Sequence, residues 1–526
     1  MTPPATAVAR SSGPPWPLAA AVVVALACAA YGNSFAGLFV MDDIAEIRLN
    51  DALDTLLPPW RAMFVGRILP ARPLPYLSFA VDRAVWGPAD PFGYHLTNLA
   101  IHCAAALAVF GIVRRTLAAP RLRERYGSRA TALALAIAAV WGVHPLQTQA
   151  VTYVYQRIES LCGLLVLLAV YCFARAAAAA WQPRWLAGCV LAAAGAMASK
   201  ENAVVVPLLV AAYDWTFSAD GPAGMRRRLP FYAALAATWL VLAAVVWSQA
   251  GRYGEFQVAG HGPLAYALTQ PRVILHYLRL AVAPAPLCFD YSWRTAATPG
   301  EIVPPLCYVG GLCAATAAGL ALRKAWAWPA AAFFLTLAPT SSVLPVTALV
   351  AEHRMYLPLA AVVALLVLGG DRLVDRFAAR HPRFARAAWA AAIVGVAAWA
   401  ALLVTMTRAR NDVYATPGGV WLDVIARHRD NTRALWNLAA VALEYGQVEA
   451  ALRYGDEAAG LNPRLPIYRD LAEQALAAGD REVAVRVLRH GIERSRAALG
   501  DEHAVVRALA ALLAEQDASG VDRGDE

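Results

Sequence analysis

The stretch W-P-L-A-A-A-V-V-V-A-L-A-C-A-A-Y-G-N-S-F-A-G-L-F-V-M-D-D-I, residues 16–44, sets an apolar run shortly before two adjacent carboxylates. The run predicts a membrane helix, because a hydrocarbon core about 30 Å thick needs about 20 residues of helix to cross it. We interpret Trp16–Tyr31 as a retained first span, since no clean signal-peptide cleavage site follows it. Asp42 and Asp43 are therefore expected at the membrane surface.

The composition indicates a membrane protein throughout. Hydrophobic residues make up 59% of the 526 residues and charged residues 16%, whereas a soluble domain carries about 25% charged residues. Apolar runs recur along the chain and predict an all-α, polytopic membrane protein with about eleven transmembrane helices. The formal net charge of +9 reflects basic residues in the short loops between these runs, so we expect no nucleic-acid partner.

The same basic residues predict the orientation of the chain. Arginines crowd residues 114–129, after the second apolar run, and cytoplasmic loops are the ones that carry such an excess. This places the Asp42 loop outside the cytoplasm, and we expect the chain in a bacterial inner membrane with its active face towards the periplasm. The polar clusters that could carry chemistry fall on this outer side: Asp42, Arg72, His144, Arg157, Lys200, Asp290 and Glu352.

The composition changes after Arg410, where the sequence becomes polar and helical. Residues 1–410 are predicted to form the membrane domain, with a first external loop at about 37–92. In residues 411–517 the spacing of small and large side chains predicts a short α-solenoid of tetratricopeptide repeats, whose units are about 34 residues long. We expect these repeats on the extracytoplasmic side and a disordered tail over residues 518–526.

Several short motifs occur in a fixed order along the membrane domain. They are N-S-F-A-G-L-F-V-M-D-D-I (33–44), R-P-L-P-Y-L-S-F (72–79), G-Y-H-L-T-N-L-A-I-H (93–102), H-P-L-Q-T-Q-A-V (144–151), S-K-E-N (199–202), F-D-Y-S-W (289–293) and E-H-R-M-Y-L-P (352–358). Together they resemble the GT-C membrane glycosyltransferases that carry tetratricopeptide repeats, a branch that includes the repeat-bearing protein O-mannosyltransferases. The resemblance does not fix the sugar.

This resemblance implies transfer of a sugar, with mannose as one candidate, from a polyprenyl-phosphate carrier to a hydroxyl of a protein or glycan. It also implies an acidic residue of the first external loop at the reaction centre. A hydroxyl nucleophile needs a base within hydrogen-bond reach, and general-base catalysis contributes about 10²- to 10⁴-fold. Asp42 and Asp43 are the candidates, and the analogy favours Asp42. The structural alternative for either is a helix cap or a solvated turn.

The leaving phosphate gathers negative charge, which fixed cations stabilise best where water is excluded. The candidate cations are Arg72, Arg157, Lys200 and Arg354. For each, the alternative is a side chain that reaches the lipid headgroups or a structural ion pair, such as Arg157 with Glu159 or Lys200 with Glu201. Further candidates for substrate binding are His95, His144, Glu201, Asp290, Glu352 and His353.

Some of these candidate residues have a second interpretation as ligands of a divalent metal ion. Glu352 and His353 could bind a cation together with Asp42 or Asp43, or orient the phosphate, although one Glu and one His form no diagnostic ligand spacing. The sequence implies no other cofactor.

Two other functions stay open. The first is an oligosaccharyltransferase or glycan polymerase that uses a lipid pyrophosphate donor. The second is a non-catalytic membrane scaffold whose repeats recruit partners for envelope assembly. Besides donor and acceptor, the expected partners are membrane lipids and a peptide or protein in the groove of the repeats.

Overall fold

The computed structural model describes residues 14–67, 69–70, 72–249 and 262–521, and within them the regular secondary structure is entirely helical. The predicted all-α class is confirmed. The chain divides into two compact units, one of residues 1–287 and 293–415 and the other of residues 288–292 and 416–526.

The helices of the first unit are α1 Trp16–Tyr31, α2 Pro59–Met63, α3 Pro73–Trp86, α4 Phe92–Ala118, α5 Pro120–Tyr126, α6 Ala130–Gly142, α7 Thr148–Val151, α8 Arg157–Ala178, α9 Pro183–Met197, α10 Val206–Phe217, α11 Gly221–Arg227, α12 Leu229–Ser248, α13 Pro263–Val282, α14 Pro299–Ala321, α15 Ala327–Leu337, α16 Pro358–Arg380 and α17 Ala385–Asp412. Many of these helices begin with proline. Proline suits the first turn because its φ is already helical and its missing N–H would have no partner there.

The apolar helices make this a multi-pass membrane protein. Among the described residues, six helices are long and apolar enough to cross a membrane: Trp16–Ala36, Phe92–Ala118, Val154–Ala178, Leu229–Ser248, Pro299–Ala321 and Pro382–Asp412. A seventh would be the bent pair Pro120–Gly142 and Pro145–Val151, which turns by 53° at its break. Other predicted spans fall on shorter helices, such as α9 with 15 residues and α10 with 12. The number of about eleven therefore stays a prediction.

Helix α4 lies at the centre of the first unit, where it packs against α1, α6 and α8. Trp141 of α6 and Tyr356, just before α16, are fully buried in this core. The helices at the periphery instead expose apolar side chains, including Leu240 on α12 and Ile393 on α17. Apolar side chains on the outside are what a hydrocarbon environment requires of a membrane helix.

Asn33, the first residue of the sequence N-S-F-A-G, joins the ends of helices α1 and α17. Its side-chain amide donates hydrogen bonds to the Arg408 carbonyl at 2.8 Å and to Asp412 Oδ1 at 2.6 Å. The amide of Asn411 in turn donates to Asn33 Oδ1 at 2.9 Å and to the Ala30 carbonyl at 3.1 Å. These bonds fix the start of the loop that carries the acidic pair.

The second unit consists of α18 Gly419–Arg427, α19 Thr432–Glu444, α20 Val448–Leu461, α21 Ile467–Ala477, α22 Arg481–Leu499 and α23 Ala504–Val521. Helix α19 packs on α20, α21 on α22, and α22 on α23. Gly446 and Gly479 follow the first helix of each pair with φ of +70° and +81°, a conformation that glycine adopts without steric cost.

The helix pairs agree with the repeat spacing, and their assignment as tetratricopeptide repeats stays a prediction. Helix α23 runs to Val521 and so enters the tail predicted to be disordered over residues 518–526. The last five residues of that tail lie outside the described part of the chain.

Candidate active site

The acidic pair lies where the chain reverses direction after α1. Met41 adopts a positive φ of 49°, a strained conformation for a residue with a side chain. The reversal gives the two adjacent carboxylates different surroundings. Asp43 is fully buried, whereas Asp42 is only half-buried.

Asp43 holds the backbone of its own loop. Its Oδ1 accepts a hydrogen bond from the Tyr155 N–H at 2.6 Å and its Oδ2 accepts one from the Val40 N–H at 3.0 Å. Burial raises the pKa of Asp43 well above the usual aspartate value, while these N–H groups act in the opposite direction. The contacts assign Asp43 a structural part in the loop.

Asp42 is held by a tyrosine that the sequence analysis did not single out. The Tyr153 hydroxyl donates to Asp42 Oδ2 at 2.7 Å and accepts from the Asp42 N–H at 3.1 Å. Burial and the neighbouring carboxylates, Asp42 first among them, raise the pKa of Tyr153 well above its usual value. The hydroxyl therefore keeps its proton, and the Asp42 carboxylate is fixed in place by a neutral donor.

Glu46 is a second residue that the sequence analysis missed. It is fully buried and accepts hydrogen bonds from the N–H groups of Arg67 at 2.9 Å and Leu69 at 2.7 Å, and from the Tyr76 hydroxyl at 2.6 Å. It thereby ties the end of the first loop to α3. The available signal was a third acid in the same short stretch, D-D-I-A-E at residues 42–46.

Two of the predicted cations are partly accessible, and each contacts a carboxylate. Arg72 NH2 lies 3.3 Å from Glu201 Oε2, and Lys200 Nζ lies 2.5 Å from Glu159 Oε2. The alternative ion pairs suggested by chain proximity were Arg157 with Glu159 and Lys200 with Glu201, and the structure shows Glu159 with Lys200 instead. Lys200 and Glu201 are neighbours in the chain, yet Lys200 pairs with Glu159 and Glu201 pairs with Arg72.

These cations converge with the motif at residues 352–358. Burial and then the charges of Lys200, Arg354 and Arg72 lower the pKa of His353 well below its usual value. Asp42, Glu46 and Arg72 also lie within electrostatic reach of the Tyr155 hydroxyl. The structure thus brings together Asp42, Arg72, Lys200, Glu201 and His353 from four separate positions of the chain, since Lys200 and Glu201 are neighbours.

Arg157 lies in a different environment. It is fully buried and pairs with Asp82 Oδ2 at 2.6 Å. Its Nε donates to Asn98 Oδ1 at 2.6 Å and its NH2 donates to the Tyr94 carbonyl at 2.8 Å. Its guanidinium also lies over the Phe79 ring, 4.8 Å from the centroid. The guanidinium of Arg157 is thus bonded within the protein, and its role as a phosphate ligand stays a prediction.

The two histidines predicted to contact substrate are also buried. His144 Nδ1 accepts from the Leu146 N–H at 3.2 Å and its Nε2 lies 3.2 Å from the Ala281 carbonyl. His95 Nε2 lies 3.1 Å from the Gly37 carbonyl. Both rings contact backbone groups, and the substrate contacts of His144 and His95 stay predictions.

The guanidinium of Arg354 donates hydrogen bonds to backbone carbonyls. Its NH2 donates to the Ala348 carbonyl at 2.6 Å and its NH1 donates to the Leu349 carbonyl at 3.2 Å. A direct phosphate contact, as predicted, would compete with these bonds. Since the partners are neutral, the positive charge of Arg354 still acts on His353.

The predicted metal interpretation does not fit these residues. Within residues 14–67, 69–70, 72–249 and 262–521, no group of three or more His, Cys, Asp or Glu side chains is placed to hold an ion. Glu352 is 1% exposed, and His353 Nδ1 already contacts Gln149 Oε1 at 3.1 Å.

Asp290 belongs to the second unit. Its Oδ2 lies 3.3 Å from Arg433 NH1, and the neighbouring Phe289 ring meets Trp421 edge-on with centroids 5.3 Å apart. These contacts stabilise the segment 288–292 within that unit. They give no support to the predicted sugar contact of Asp290.

The fold and the site define a multi-pass, all-α membrane protein whose loops gather an acid and paired cations around a histidine. In sequence the chain is similar to protein O-mannosyltransferases. The Protein O-mannosyl-transferase Tmtc3 of Drosophila melanogaster is 26% identical over 521 residues, which cover 83% of this chain and 54% of the relative. Tmtc2 of the same organism is 28% identical, over 51% of this chain and 30% of the relative. Human TMTC4 is 29% identical, over 37% of this chain and 28% of the relative.

The predicted resemblance to the protein O-mannosyltransferases is confirmed by these relatives. The chain spans about half or less of the length of each, 28% to 54%. No family model matches the chain. Among solved structures, ArnT from Cupriavidus metallidurans bound to undecaprenyl phosphate is similar with a TM-score of 0.40 and 16% identity, over 92% of this chain and 76% of that one.

Proposed function

We propose that this protein is a membrane glycosyltransferase that moves a sugar from a polyprenyl-phosphate carrier to a hydroxyl of a protein at the extracytoplasmic face. Similarity to the protein O-mannosyltransferases supports a protein acceptor and makes mannose the first sugar to test. The observation that carries the proposal is the arrangement of Asp42, half-buried and oriented by Tyr153, with Arg72 and Lys200 in the same cluster.

Asp42 is the proposed general base. Its carboxylate accepts the proton of the acceptor hydroxyl while that oxygen forms a bond to the anomeric carbon of the sugar. The bond between the anomeric carbon and the phosphate oxygen breaks at the same time, and its electron pair leaves with the polyprenyl phosphate. The displacement is direct, so the configuration at the anomeric carbon inverts.

Arg72 and Lys200 are the proposed phosphate ligands. The phosphate gains one negative charge as the sugar leaves, and cations held in a partly dry site stabilise such a charge more than water does. Arg72 offers a planar fork of donors to two phosphate oxygens and Lys200 offers a compact charge. Glu201 and Glu159, their partners in the structure, orient both side chains before the donor arrives.

The test compares two neutral substitutions in the same loop. Asp42→Asn keeps an oxygen that accepts from Tyr153 but removes the base, so transfer to an acceptor peptide should fall by roughly 10²- to 10⁴-fold. Asp51→Asn is the matched control, since the Asp51 side chain is 90% exposed and contacts only Arg83 among the ion pairs of the described chain. Full activity of purified Asp42→Asn would refute the assignment of the base.

The mass added to the acceptor identifies the donor. A single hexose supports a monosaccharide carried on a polyprenyl phosphate, whereas a whole glycan supports the lipid-pyrophosphate alternative. If acceptors carry no added mass in cells with the chain or in cells without it, the scaffold function is the one that remains.

A further inference from the structure

The hydrogen bonds between His353 and Gln149 determine which ring nitrogen of His353 carries the proton. Gln149 Oε1 accepts a bond from the His353 backbone N–H at 2.9 Å and lies 3.1 Å from His353 Nδ1. A backbone N–H can only donate, so the Gln149 atom that faces it must be the amide oxygen. Because the same oxygen faces Nδ1, Nδ1 must carry the hydrogen, and Nε2 must present a lone pair.

Burial and the neighbouring charges keep the ring neutral. Burial first, and then the charges of Lys200, Arg354 and Arg72, lower the pKa of His353 well below the usual value. The ring is therefore neutral at neutral pH. The side chain is half-buried, and within the described ranges of the chain Nε2 has no hydrogen-bond partner.

A lone pair cannot bind an anionic oxygen, so Nε2 is unsuited to the phosphate. It can accept a hydrogen bond from a hydroxyl, and its low basicity makes it a poor general base. The cations beside it, Arg72 and Lys200, are the side chains that suit the phosphate. The hydroxyl-bearing group directly attached to that phosphate is the sugar of the donor.

We propose that His353 Nε2 accepts a hydrogen bond from a hydroxyl of the sugar carried by the donor lipid, and that His353 is thereby a residue that selects the sugar. The proposal rests on the function proposed above. It replaces the expected contact of His353 with phosphate or metal by a contact with a neutral hydroxyl.

The test measures binding rather than turnover, so it is independent of transfer. His353→Asn keeps a donor towards Gln149 and removes the acceptor at Nε2. The variant should bind the sugar-bearing polyprenyl phosphate roughly 2- to 10-fold more weakly, the usual effect of one hydrogen bond. Its affinity for polyprenyl phosphate without a sugar should equal that of the wild type, which also shows that the variant is folded.

Donors that lack single hydroxyls locate the contact. One monodeoxy donor should bind the wild type more weakly than the full donor does, by the same factor that His353→Asn causes with the full donor. The variant should bind this monodeoxy donor and the full donor equally well. Equal weakening for lipids with and without sugar would overturn the proposal. The proposal would also be overturned if His353→Asn bound the donor as the wild type does but had a raised KM for the acceptor. The hydroxyl that contacts Nε2 would then belong to the acceptor.

Gln149→Glu gives a second measurement that does not alter His353. A carboxylate beside Nδ1 stabilises the imidazolium and raises the pKa of His353. The neutral ring accepts a bond from the hydroxyl and the imidazolium cannot, so the affinity for the sugar-bearing donor should change as the pH falls through the raised pKa. The wild type, with its lowered pKa, should hold its affinity over the same range. Identical pH profiles for the two proteins would contradict the proposal.

If the purified chain binds with these signatures but transfers no sugar, the glycosyltransferase function fails and the sugar contact stands. If it transfers sugar and His353→Asn binds and discriminates as the wild type does, only the sugar contact fails.

Discussion

The two neighbouring aspartates differ in accessibility, and this difference separates their roles. Asp42 faces a neutral tyrosine hydroxyl, while both oxygens of Asp43 accept from backbone N–H groups. The sequence alone could not separate them, because the separation depends on a backbone reversal at Met41 and on Tyr155, more than one hundred residues further along.

Asp43→Asn is expected to lower stability. One oxygen would become an NH₂ group that faces the N–H of Val40 or Tyr155, and a buried group without a partner costs about 1 to 3 kcal/mol. The thermal unfolding temperature of the purified protein should fall for Asp43→Asn and stay unchanged for Asp42→Asn. Equal unfolding temperatures for the two variants would show that Asp43 does not hold the loop.

At the scale of helices, Arg157 joins α8 to α3 and α4. It lies at the start of α8, Asp82 lies on α3 and Asn98 on α4. A buried ion pair is costly to break from one side, because the remaining charge is left without its partner. The pair therefore fixes how the three helices meet beside the site.

Arg157→Met should destabilise the first unit by about 3 to 5 kcal/mol. Arg125→Met provides a matched control, since Arg125 pairs with Asp375 at 3.7 Å and both side chains are 44% exposed. Loss of such a surface pair should cost less than about 1 kcal/mol. Unfolding in detergent, followed by calorimetry, compares the two. Similar effects would mean that the buried pair adds nothing beyond a surface pair.

The sequence predicted the helices better than it predicted the contacts between their side chains. Apolar runs such as Phe92–Ala118 mark helices because composition alone determines them. The motifs could not distinguish His353, whose side chain is half-buried, from His144, whose ring is buried against backbone. Burial depends on which helices pack together, and a single sequence does not state that. Glu46 and Tyr153 were missed for the same reason, since their partners are distant in the chain.

At the scale of the whole molecule, the orientation in the membrane is still a prediction from the arginine-rich segment 114–129. Asp51→Cys and Arg123→Cys place new thiols on two exposed positions, the first in the predicted external loop and the second on the short helix α5. A maleimide that does not cross membranes should label Asp51→Cys in intact cells and Arg123→Cys only after permeabilisation. The unsubstituted chain measures labelling of its own eight cysteines. The opposite labelling pattern would invert the topology and place Asp42 in the cytoplasm.

The bonds of Asn33 to Arg408 and Asp412 have a consequence for biosynthesis. The partners are separated by 375 and 379 residues, so the loop of the acidic pair leaves the ribosome long before its anchor exists. At a synthesis rate of about 5 to 20 residues per second, the delay is roughly 20 to 75 seconds. During that time the emerging chain contains Asp42 but lacks the contacts of Asn33 at the start of its loop, and these can form only after the last apolar helix has been synthesised.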